Sequence, residues 1–303
     1  MNGTQPILVA GKTGQLARAT AELASDRAIA LVTVEPPELN LEDAESVERV
    51  VTAIAPRAIV NAAAYTLVDK AESEPERAFG VNRDGAARLA AAAAKFKIPF
   101  IHISTDYVFD GSKASPYQED DVPSPLSIYG RSKLEGEIAV RDAYADALVI
   151  RTSWVFSPFG QNFVKTMLRL ADSRDVVQVV NDQHGAPTAA RDLAGAILAI
   201  LKQIAGNEGS SSRAGVYHFT CAGETTWYGF AAAIYAGWAR RGRHIPVLKP
   251  ITTADYPTPA RRPVNSRLDC SKIERTFGIR LPPWQKSLDL CLDDLAAALS
   301  GTP

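Results

Sequence analysis

The sequence has little of the features that mark several classes of protein. Its three cysteines, Cys221, Cys270 and Cys291, are odd in number, widely spaced and outside any metal-ligand pattern, which indicates reduced structural thiols. The four histidines show no paired spacing, so we expect no metal site. The 33 basic and 34 acidic residues nearly cancel, and the charge therefore gives no reason to expect a nucleic-acid or membrane partner.

Long apolar runs are also missing. No run approaches the roughly 20 apolar residues that a membrane-spanning helix needs. The first residues carry no basic stretch and pass directly into an apolar strand, so we expect no signal peptide and a cytoplasmic protein. With 303 residues the chain can form one large core or two modest domains.

A glycine-rich turn follows the first predicted strand. Residues 6–10 are a short apolar run, residues 11–17 read GKTGQLA, and a helical pattern continues through Leu23. A strand, a glycine turn and a helix in this order place backbone N–H groups around an anion such as a dinucleotide pyrophosphate. The spacing G-x-x-G-x-x-A departs mildly from G-x-G-x-x-G, and a turn without a ligand remains the alternative.

Strands and helices alternate repeatedly in the first third of the chain. This alternation predicts an α/β fold, a Rossmann-type doubly wound parallel sheet with helices on both faces. Ligands of such sheets bind beyond the carboxyl ends of the strands. The predicted strands span 6–10, 29–34, 58–64 and 101–103, with helices at 44–54 and from about 82 to 97.

Glu35 stands at the end of the second predicted strand, about two dozen residues after Gly11. An acidic residue at this place can accept hydrogen bonds from the adenosine ribose and repel a 2′-phosphate, which slightly favours NAD over NADP. The prolines at 36 and 37 leave the direction of its side chain open.

Tyr129 and Lys133 stand four residues apart at the start of a predicted helix, so they should share one helix face. A nearby ammonium would lower the tyrosine pKa from its ordinary value of roughly 10, which makes Tyr129 a candidate proton donor. A lone Y-x-x-x-K is more often a half-exposed tyrosine and a solvated lysine. Here a polar strand end, Ser104-Thr105, and the glycine turn accompany it, and together they favour catalysis.

The second half of the chain predicts a smaller, discontinuous α/β substrate domain packed over the strand ends. We predict a dinucleotide-binding domain of residues 1–152 and about 186–220, and a substrate-binding domain of residues 153–185 and about 221–303.

Three later stretches carry their own expectations. Residues 206–213, rich in glycine and serine, form the clearest predicted surface loop, with disorder expected there. Residues 215–219 should form a strand that rejoins the first sheet. The proline-rich stretch 246–263 is expected to be largely irregular.

Several motifs, spread in order over nearly the whole chain, resemble those of one family. They are GKTGQLA (11–17), VNAAAYTLVDKAESEPERAFGVN (60–82), ISTDYVFDG (103–111), YGRSKLEGE (129–137), RTSWVFSPFGQNFVKTML (151–168), DQHGAPT (182–188), TTWYGFA (225–231) and PTPARRPVNSRLD (257–269). The chain resembles the extended short-chain dehydrogenase/reductases and, among these, the dTDP-4-dehydrorhamnose reductase family. STDYVFDG and PARRPVNSRLD discriminate far better than the widely shared Y-x-x-x-K.

The resemblance implies reduction of the 4-keto group of dTDP-4-dehydro-6-deoxy-L-mannose to dTDP-L-rhamnose with NADPH or NADH. Tyr129 would protonate the forming alkoxide. Lys133 would lower the Tyr129 pKa and hold the nicotinamide ribose. Thr105 would donate a hydrogen bond to the substrate carbonyl oxygen.

Other positions follow from the motifs. Three of the expected substrate residues have an alternative role: Trp154 as a core tryptophan, Asp106 as a strand-end cap, and Arg262 as half of a solvated pair with Arg261. Asn40, expected at the cofactor, stands where the family usually has Asp. The residues expected at the cofactor are Gly11, Gly14, Gln15, Leu16, Glu35, Asn40, Leu41, Ala63, Ala64, Tyr65, Thr66, Tyr129 and Lys133. Those expected at the substrate are Thr105, Asp106, Trp154, Asn162 and Arg262.

Some members of the family form dimers through a metal that glutamates hold. Ala19 and Arg191 stand at those places, so no such metal is expected, and the choice between monomer and homodimer stays open.

Two other functions compete with this interpretation. The chain could be another nucleotide-sugar 4-ketoreductase, an epimerase or a dehydratase, although a dehydratase commonly has an acid pair where this chain has Asp106 and Tyr107. It could also be a non-catalytic dinucleotide-binding regulatory subunit, like that of methionine adenosyltransferase. The presence of Thr105, Tyr129 and Lys133 together favours an enzyme.

Overall fold

The computed structural model describes residues 5–204 and 213–300. The surface loop predicted at 206–213 therefore lies outside the described residues, except for Arg213. Among the residues that are described, no helix has the length and apolar content needed to cross a membrane.

Strands and helices follow one another along most of the described chain. The strands are β1 (Ile7–Ala10), β2 (Leu31–Val34), β3 (Ala58–Asn61), β4 (Phe100–Thr105), β5 (Leu148–Thr152), β6 (Val155–Phe156), β7 (Val176–Val180), β8 (His184–Gly185), β9 (Thr188–Ala189), β10 (Gly215–His218), β11 (Thr225–Thr226) and β12 (Val247–Ile251). The helices are α1 (Gln15–Asp26), α2 (Ala44–Ile54), α3 (Val68–Ala71), α4 (Pro75–Phe79), α5 (Ala86–Phe96), α6 (Ile128–Ala143), α7 (Phe163–Ala171), α8 (Ala190–Ile204), α9 (Trp227–Arg240), α10 (Ser271–Phe277) and α11 (Trp284–Ser300).

A six-stranded parallel sheet lies at the centre, in the order β2-β1-β3-β4-β5-β10, and it confirms the predicted fold class. Strand β10 joins it beside β5, as residues 215–219 predict. The chain places β2 on one side of β1 and β3 on the other. The connections therefore diverge between β1 and β3, and a crevice opens at the carboxyl ends of these strands.

Helices cover both faces of this sheet. Because side chains alternate along a strand, Ile7 and Val9 pack in one buried cluster with α1 and α8. Leu8 and Ala10 pack in the other cluster, with α2 and α5. Burial on both faces explains why strand β1 is continuously apolar.

Capping side chains set the start of the helices that reach the crevice. Ser127 caps α6, Asn162 caps α7 and Thr226 caps α9, each by accepting a hydrogen bond from a backbone N–H in the first turn. Such a cap stabilises a helix by about 1 kcal/mol and fixes where it begins. The N-terminal residues of these three helices are thereby held at the carboxyl end of the sheet.

A separate buried cluster forms after β5, from aromatic side chains of β6, α9 and α11 that include Phe156, Phe230 and Trp284. Leu268 and Phe277, from the later part of the chain, pack instead with the first cluster on the central sheet. The two-domain division at the limits given above stays a prediction.

The expectation that residues 246–263 are largely irregular is wrong for their first part. Val247–Ile251 forms β12, which pairs in parallel with β7. Pro250 lacks an N–H, but in a two-stranded sheet each strand is an edge, and an edge tolerates proline. A pattern of single residues could not reveal this pairing, since β7 lies about seventy residues earlier.

Candidate active site

A cavity of about 910 Å³ opens at the carboxyl ends of the central strands. It brings together the glycine turn, the strand-end polar residues and the start of α6, as the sequence predicts. Of the predicted site residues, those that line it are Gly11, Gly14, Gln15, Leu16, Glu35, Asn40, Leu41, Ala63, Ala64, Thr66, Thr105, Asp106, Tyr129, Lys133, Trp154 and Asn162.

The glycine turn is shaped for the close approach of a ligand. Gly11 has φ of +100°, a conformation that side chains rarely adopt, and around the Cβ position of Gly14 there is open space. Glu35 turns toward this loop, and its carboxylate accepts hydrogen bonds from the Lys12 N–H at 3.1 Å and the Thr13 N–H at 2.9 Å. Slight burial opposes ionisation, yet these hydrogen bonds hold the pKa of Glu35 below its ordinary value.

Tyr129 reaches the cavity because α6 can approach the loop after β4 closely. A Cβ on Gly130 would lie 2.2 Å from the Tyr107 carbonyl oxygen, so only glycine fits there. The Tyr107 and Tyr129 rings meet edge to face, with centroids 5.9 Å apart. Both residues are thus fixed by one contact between a loop and a helix.

The Tyr129 pKa differs from the expectation. Burial raises it to about 12, and the hydrogen bond between Tyr129 and Thr105 only partly offsets this. The predicted lowering by Lys133 is wrong for this state of the protein. The Lys133 ammonium instead donates to the Ile103 carbonyl oxygen at 2.6 Å and lies 3.4 Å from His102 Nε2.

Lys133 itself is buried, with an exposed fraction of 2%. Burial lowers the pKa of Lys133 to about 8, against the opposing charge of Glu137. The ammonium form therefore still predominates at neutral pH, one helical turn from Tyr129.

Thr105 and Asp106 share hydrogen bonds at the end of β4. The Thr105 hydroxyl donates to Asp106 Oδ1 at 2.9 Å and accepts from the Tyr107 N–H at 3.1 Å. Burial raises the pKa of Asp106 to about 7, although hydrogen bonds from Ser266 and Thr105 oppose the change. A hydroxyl has a single proton. When Asp106 is protonated it can donate to Thr105, which leaves the Thr105 proton for another acceptor in the cavity.

Aromatic side chains form another part of the cavity wall. Trp154 stacks on Trp227, with ring centroids 3.6 Å apart and planes 11° from parallel. The ring centroid of Phe163 lies 4.6 Å from that of Trp227. Trp154 has φ of +47°, a strained value for a bulky residue. Sequence reasoning missed Trp227, although it lies in the TTWYGFA motif, because nothing in that motif indicates its partner.

Gln15 connects the glycine turn with the segment that leads into α7. Its side-chain oxygen accepts from Ser157 Oγ at 2.8 Å and from Asn162 Nδ2 at 2.9 Å. Its amide nitrogen donates to the Val155 carbonyl oxygen at 3.3 Å. Gln15 and Asn162 are therefore partners of each other as well as candidate ligand contacts.

Two predicted site residues do not line the cavity. Tyr65 is buried, and its hydroxyl donates to Glu74 Oε2 at 2.7 Å. The Arg262 guanidinium donates to both carboxylate oxygens of Asp69, at 3.0 and 2.7 Å. The ion pair raises the pKa of Arg262 despite its partial burial. In each residue the polar group is held by an acidic partner, and the expected roles of Tyr65 and Arg262 at the ligands stay predictions.

Within the described ranges, no group of three or more histidine, cysteine, aspartate or glutamate side chains is arranged to hold a metal ion.

A family model and a similar protein of known name both match nearly the whole chain. Residues 5–297 match the family described as RmlD substrate binding domain. A dTDP-4-dehydrorhamnose reductase of Sinorhizobium fredii is 49% identical over 282 residues, which covers 93% of this chain and 94% of that protein.

Two solved structures are similar over almost their whole length. A dTDP-4-dehydrorhamnose reductase of Clostridium acetobutylicum has a TM-score of 0.88 at 34% identity, covering 96% of this chain and 99% of that one. The Bacillus anthracis dTDP-4-dehydrorhamnose reductase, solved in complex with NADP, has a TM-score of 0.88 at 31% identity and the same coverage.

Proposed function

Because the chain belongs to the dTDP-4-dehydrorhamnose reductase family, we propose that it reduces the 4-keto group of dTDP-4-dehydro-6-deoxy-L-mannose to give dTDP-L-rhamnose, with NADPH or NADH as reductant. The observation that carries this proposal is the convergence of Thr105, Tyr129 and Lys133 in one cavity with the glycine turn. The cavity, at about 910 Å³, lies near the upper end of the range of ligand pockets, about 300–1,000 Å³.

The residues of the glycine turn fit a dinucleotide. The open space at Gly14 and the helix N-terminus at Gln15 suit a pyrophosphate, and the Glu35 carboxylate beside them suits ribose hydroxyls. When bound, the reduced nicotinamide supplies the hydride. This chain then has to place the sugar ketone and deliver a proton to its oxygen.

Tyr129 is suited to deliver that proton. Because burial raises its pKa to about 12, the phenol keeps its proton at neutral pH until a strong base is present. The alkoxide that forms at C4 of the sugar is such a base. The Lys133 ammonium, one turn away, can hold a ribose hydroxyl of the dinucleotide.

Thr105 supplies the second hydrogen bond to the ketone oxygen. Its proton is directed at Asp106 while that carboxylate is ionised, and it is released when Asp106 is protonated. A carboxyl with a pKa of about 7 allows both states near neutral pH. Thr105 and Tyr129 together would stabilise the charge that develops on the substrate oxygen.

The site favours reduction over dehydration. A dehydratase needs a base to remove the C5 proton as well as a proton donor. Tyr107, which occupies the place of that base, is half-buried and has a raised pKa. A phenol that holds its proton so firmly is a poor base, and one proton donor is enough to reduce a ketone.

One assay tests the proposal. Purified protein is mixed with NADPH or NADH and dTDP-4-dehydro-6-deoxy-L-mannose, and the absorbance of the reduced nicotinamide is followed. We expect oxidation of the cofactor that depends on the sugar nucleotide, with dTDP-L-rhamnose identified by NMR. Tight cofactor binding without turnover would support the non-catalytic alternative, and a product epimeric at C4 would indicate a different 4-ketoreductase.

A further inference from the structure

A buried histidine lies directly beneath Lys133. His102 is the only polar residue among the first three of β4, and its side chain is fully buried. It lies on the sheet face that carries Phe100 and packs against α6. A buried imidazole in an apolar strand has to be satisfied by hydrogen bonds, because an unsatisfied polar group there is costly.

Both ring nitrogens of His102 have partners. Nε2 lies 3.4 Å from Lys133 Nζ, and Nδ1 lies 3.1 Å from the side-chain nitrogen of Asn61. Asn61 is the residue that faces His102 in the register of β3 and β4, so the sheet itself fixes this second contact.

The donors and acceptors of this group determine which nitrogen carries the proton. An ammonium can only donate, so His102 Nε2 has to accept from Lys133, and the proton of the neutral imidazole is on Nδ1. Nδ1–H then needs an acceptor. Asn61 Oδ1 is buried and has no other partner within the described part of the chain, and a half-turn of the amide brings it to Nδ1. Both ring nitrogens of His102 and the Asn61 side-chain oxygen are then paired.

We propose that His102 is a positioning residue for the reduction: held by Asn61, it accepts a hydrogen bond from Lys133 and directs the ammonium into the cavity. The inference rests on the proposed function, since it concerns how Lys133 serves that reaction. Of the three ammonium protons, one goes to the Ile103 carbonyl and one to His102. One remains for a ligand hydroxyl in the cavity, which Lys133 lines.

The charged groups around Lys133 support this role. Burial and the nearby ammonium keep the pKa of His102 well below its ordinary value, so the ring stays a neutral acceptor. On α6 the Glu137 carboxylate faces the same region, but Arg151 and Ser104 already engage it, with Arg151 Nη2 at 2.7 Å. His102 and the Ile103 carbonyl are therefore the direct acceptors for the ammonium.

The test compares His102→Leu with His102→Gln. Leucine removes the acceptor and destabilises the ammonium, so the alkaline fall in turnover and in NADH affinity should move to lower pH by about one unit. Glutamine can place an amide oxygen near the position of Nε2, and it should restore most of the wild-type pH profile. The pH dependence of NADH affinity is measured by fluorescence titration without the sugar.

A matched control uses the second buried histidine. His218 lies on β10, contacts the Tyr117 carbonyl oxygen and Arg151, and is as buried as His102. His218→Leu should destabilise the fold, but the alkaline fall in turnover and in NADH affinity should occur at the same pH as in the wild type. If His102→Leu does not fold, Asn61→Ala replaces it, with a smaller shift expected in the same direction.

The outcomes separate the inference from the proposed function. An unmoved NADH affinity profile in a folded His102→Leu protein, or an equal shift in His218→Leu, would overturn the role of His102. Absence of turnover in the wild type, with a cofactor-binding profile that still shifts in His102→Leu, would reject the proposed reaction and retain the contact with Lys133.

Discussion

Two parts of the cavity wall are held in place by different interactions. The catalytic wall, Thr105, Tyr129 and Lys133, is fixed by the central sheet and by buried hydrogen bonds such as the one from Lys133 to Ile103. The aromatic wall, Trp154, Phe163 and Trp227, is fixed by ring stacking between segments that are distant in sequence. Hydrogen bonds are directional and stacking is much less so. We therefore expect the catalytic wall to control the rate and the aromatic wall to control substrate affinity.

Tyr129→Phe is the most severe test of the catalytic wall. Without the phenol proton the alkoxide has no nearby donor, and turnover should fall by about 10²- to 10⁴-fold. The NADPH dissociation constant, measured by fluorescence titration, should stay close to that of the wild type. Turnover within a factor of two of the wild type would remove Tyr129 from the mechanism.

Gly130→Ala tests how strictly the catalytic wall is positioned. The added methyl group would lie 2.2 Å from the Tyr107 carbonyl oxygen, so α6 has to shift and move Tyr129 with it. A displacement of about 1 Å can cost about 10²-fold in turnover. Steady-state kinetics should show this loss. Gly195→Ala on α8, where a Cβ meets nothing within 4 Å, is the control and should change kcat little.

Trp227→Ala tests the aromatic wall. Loss of the stack on Trp154 removes about 0.5–1.5 kcal/mol of ring interaction in addition to buried area, so KM for the sugar nucleotide should rise roughly tenfold. The value of kcat should change much less. The control is Trp238→Ala in the core of the same helix, which should lower the unfolding temperature without this change in KM. A fall in kcat with KM unchanged would contradict the assigned roles of the two walls.

Glu35→Gln probes a region outside both walls and should have the smallest effect. The variant loses the negative charge beside the Thr13 N–H, so the ratio of kcat/KM for NADPH to that for NADH should rise a few-fold. The measurement is that ratio under identical conditions. A ratio that falls or stays constant would show that Glu35 does not discriminate between the two cofactors.

Local sequence patterns predicted the elements that carry the catalytic wall, because residues close in sequence determine those elements. The helix expected at 44–54 is α2, and the Y-x-x-x-K motif lies in the first turns of α6. Thr105 ends a strand, as the change from apolar to polar residues indicates. In each case residues close in sequence determine the element, whereas the direction of the Lys133 side chain depends on more distant residues such as Ile103.

The aromatic wall could not be predicted in the same way. Trp227 contacts Trp154 across more than seventy residues, and no local pattern indicates that contact. The same limit explains Arg262, whose partner Asp69 lies almost two hundred residues earlier. It also explains the Tyr129 pKa, since that pKa is raised by burial, which the sequence does not show.

The hydrogen bonds of Gln15 have a consequence for how the two ligands bind. One amide at the start of α1 holds Ser157 and the cap of α7, Asn162, so a ligand that moves the glycine turn also moves the segment leading to the aromatic wall. Occupancy at one end of the cavity is then coupled energetically to affinity at the other. By linkage the coupling is reciprocal, so each ligand should change the dissociation constant of the other by the same factor.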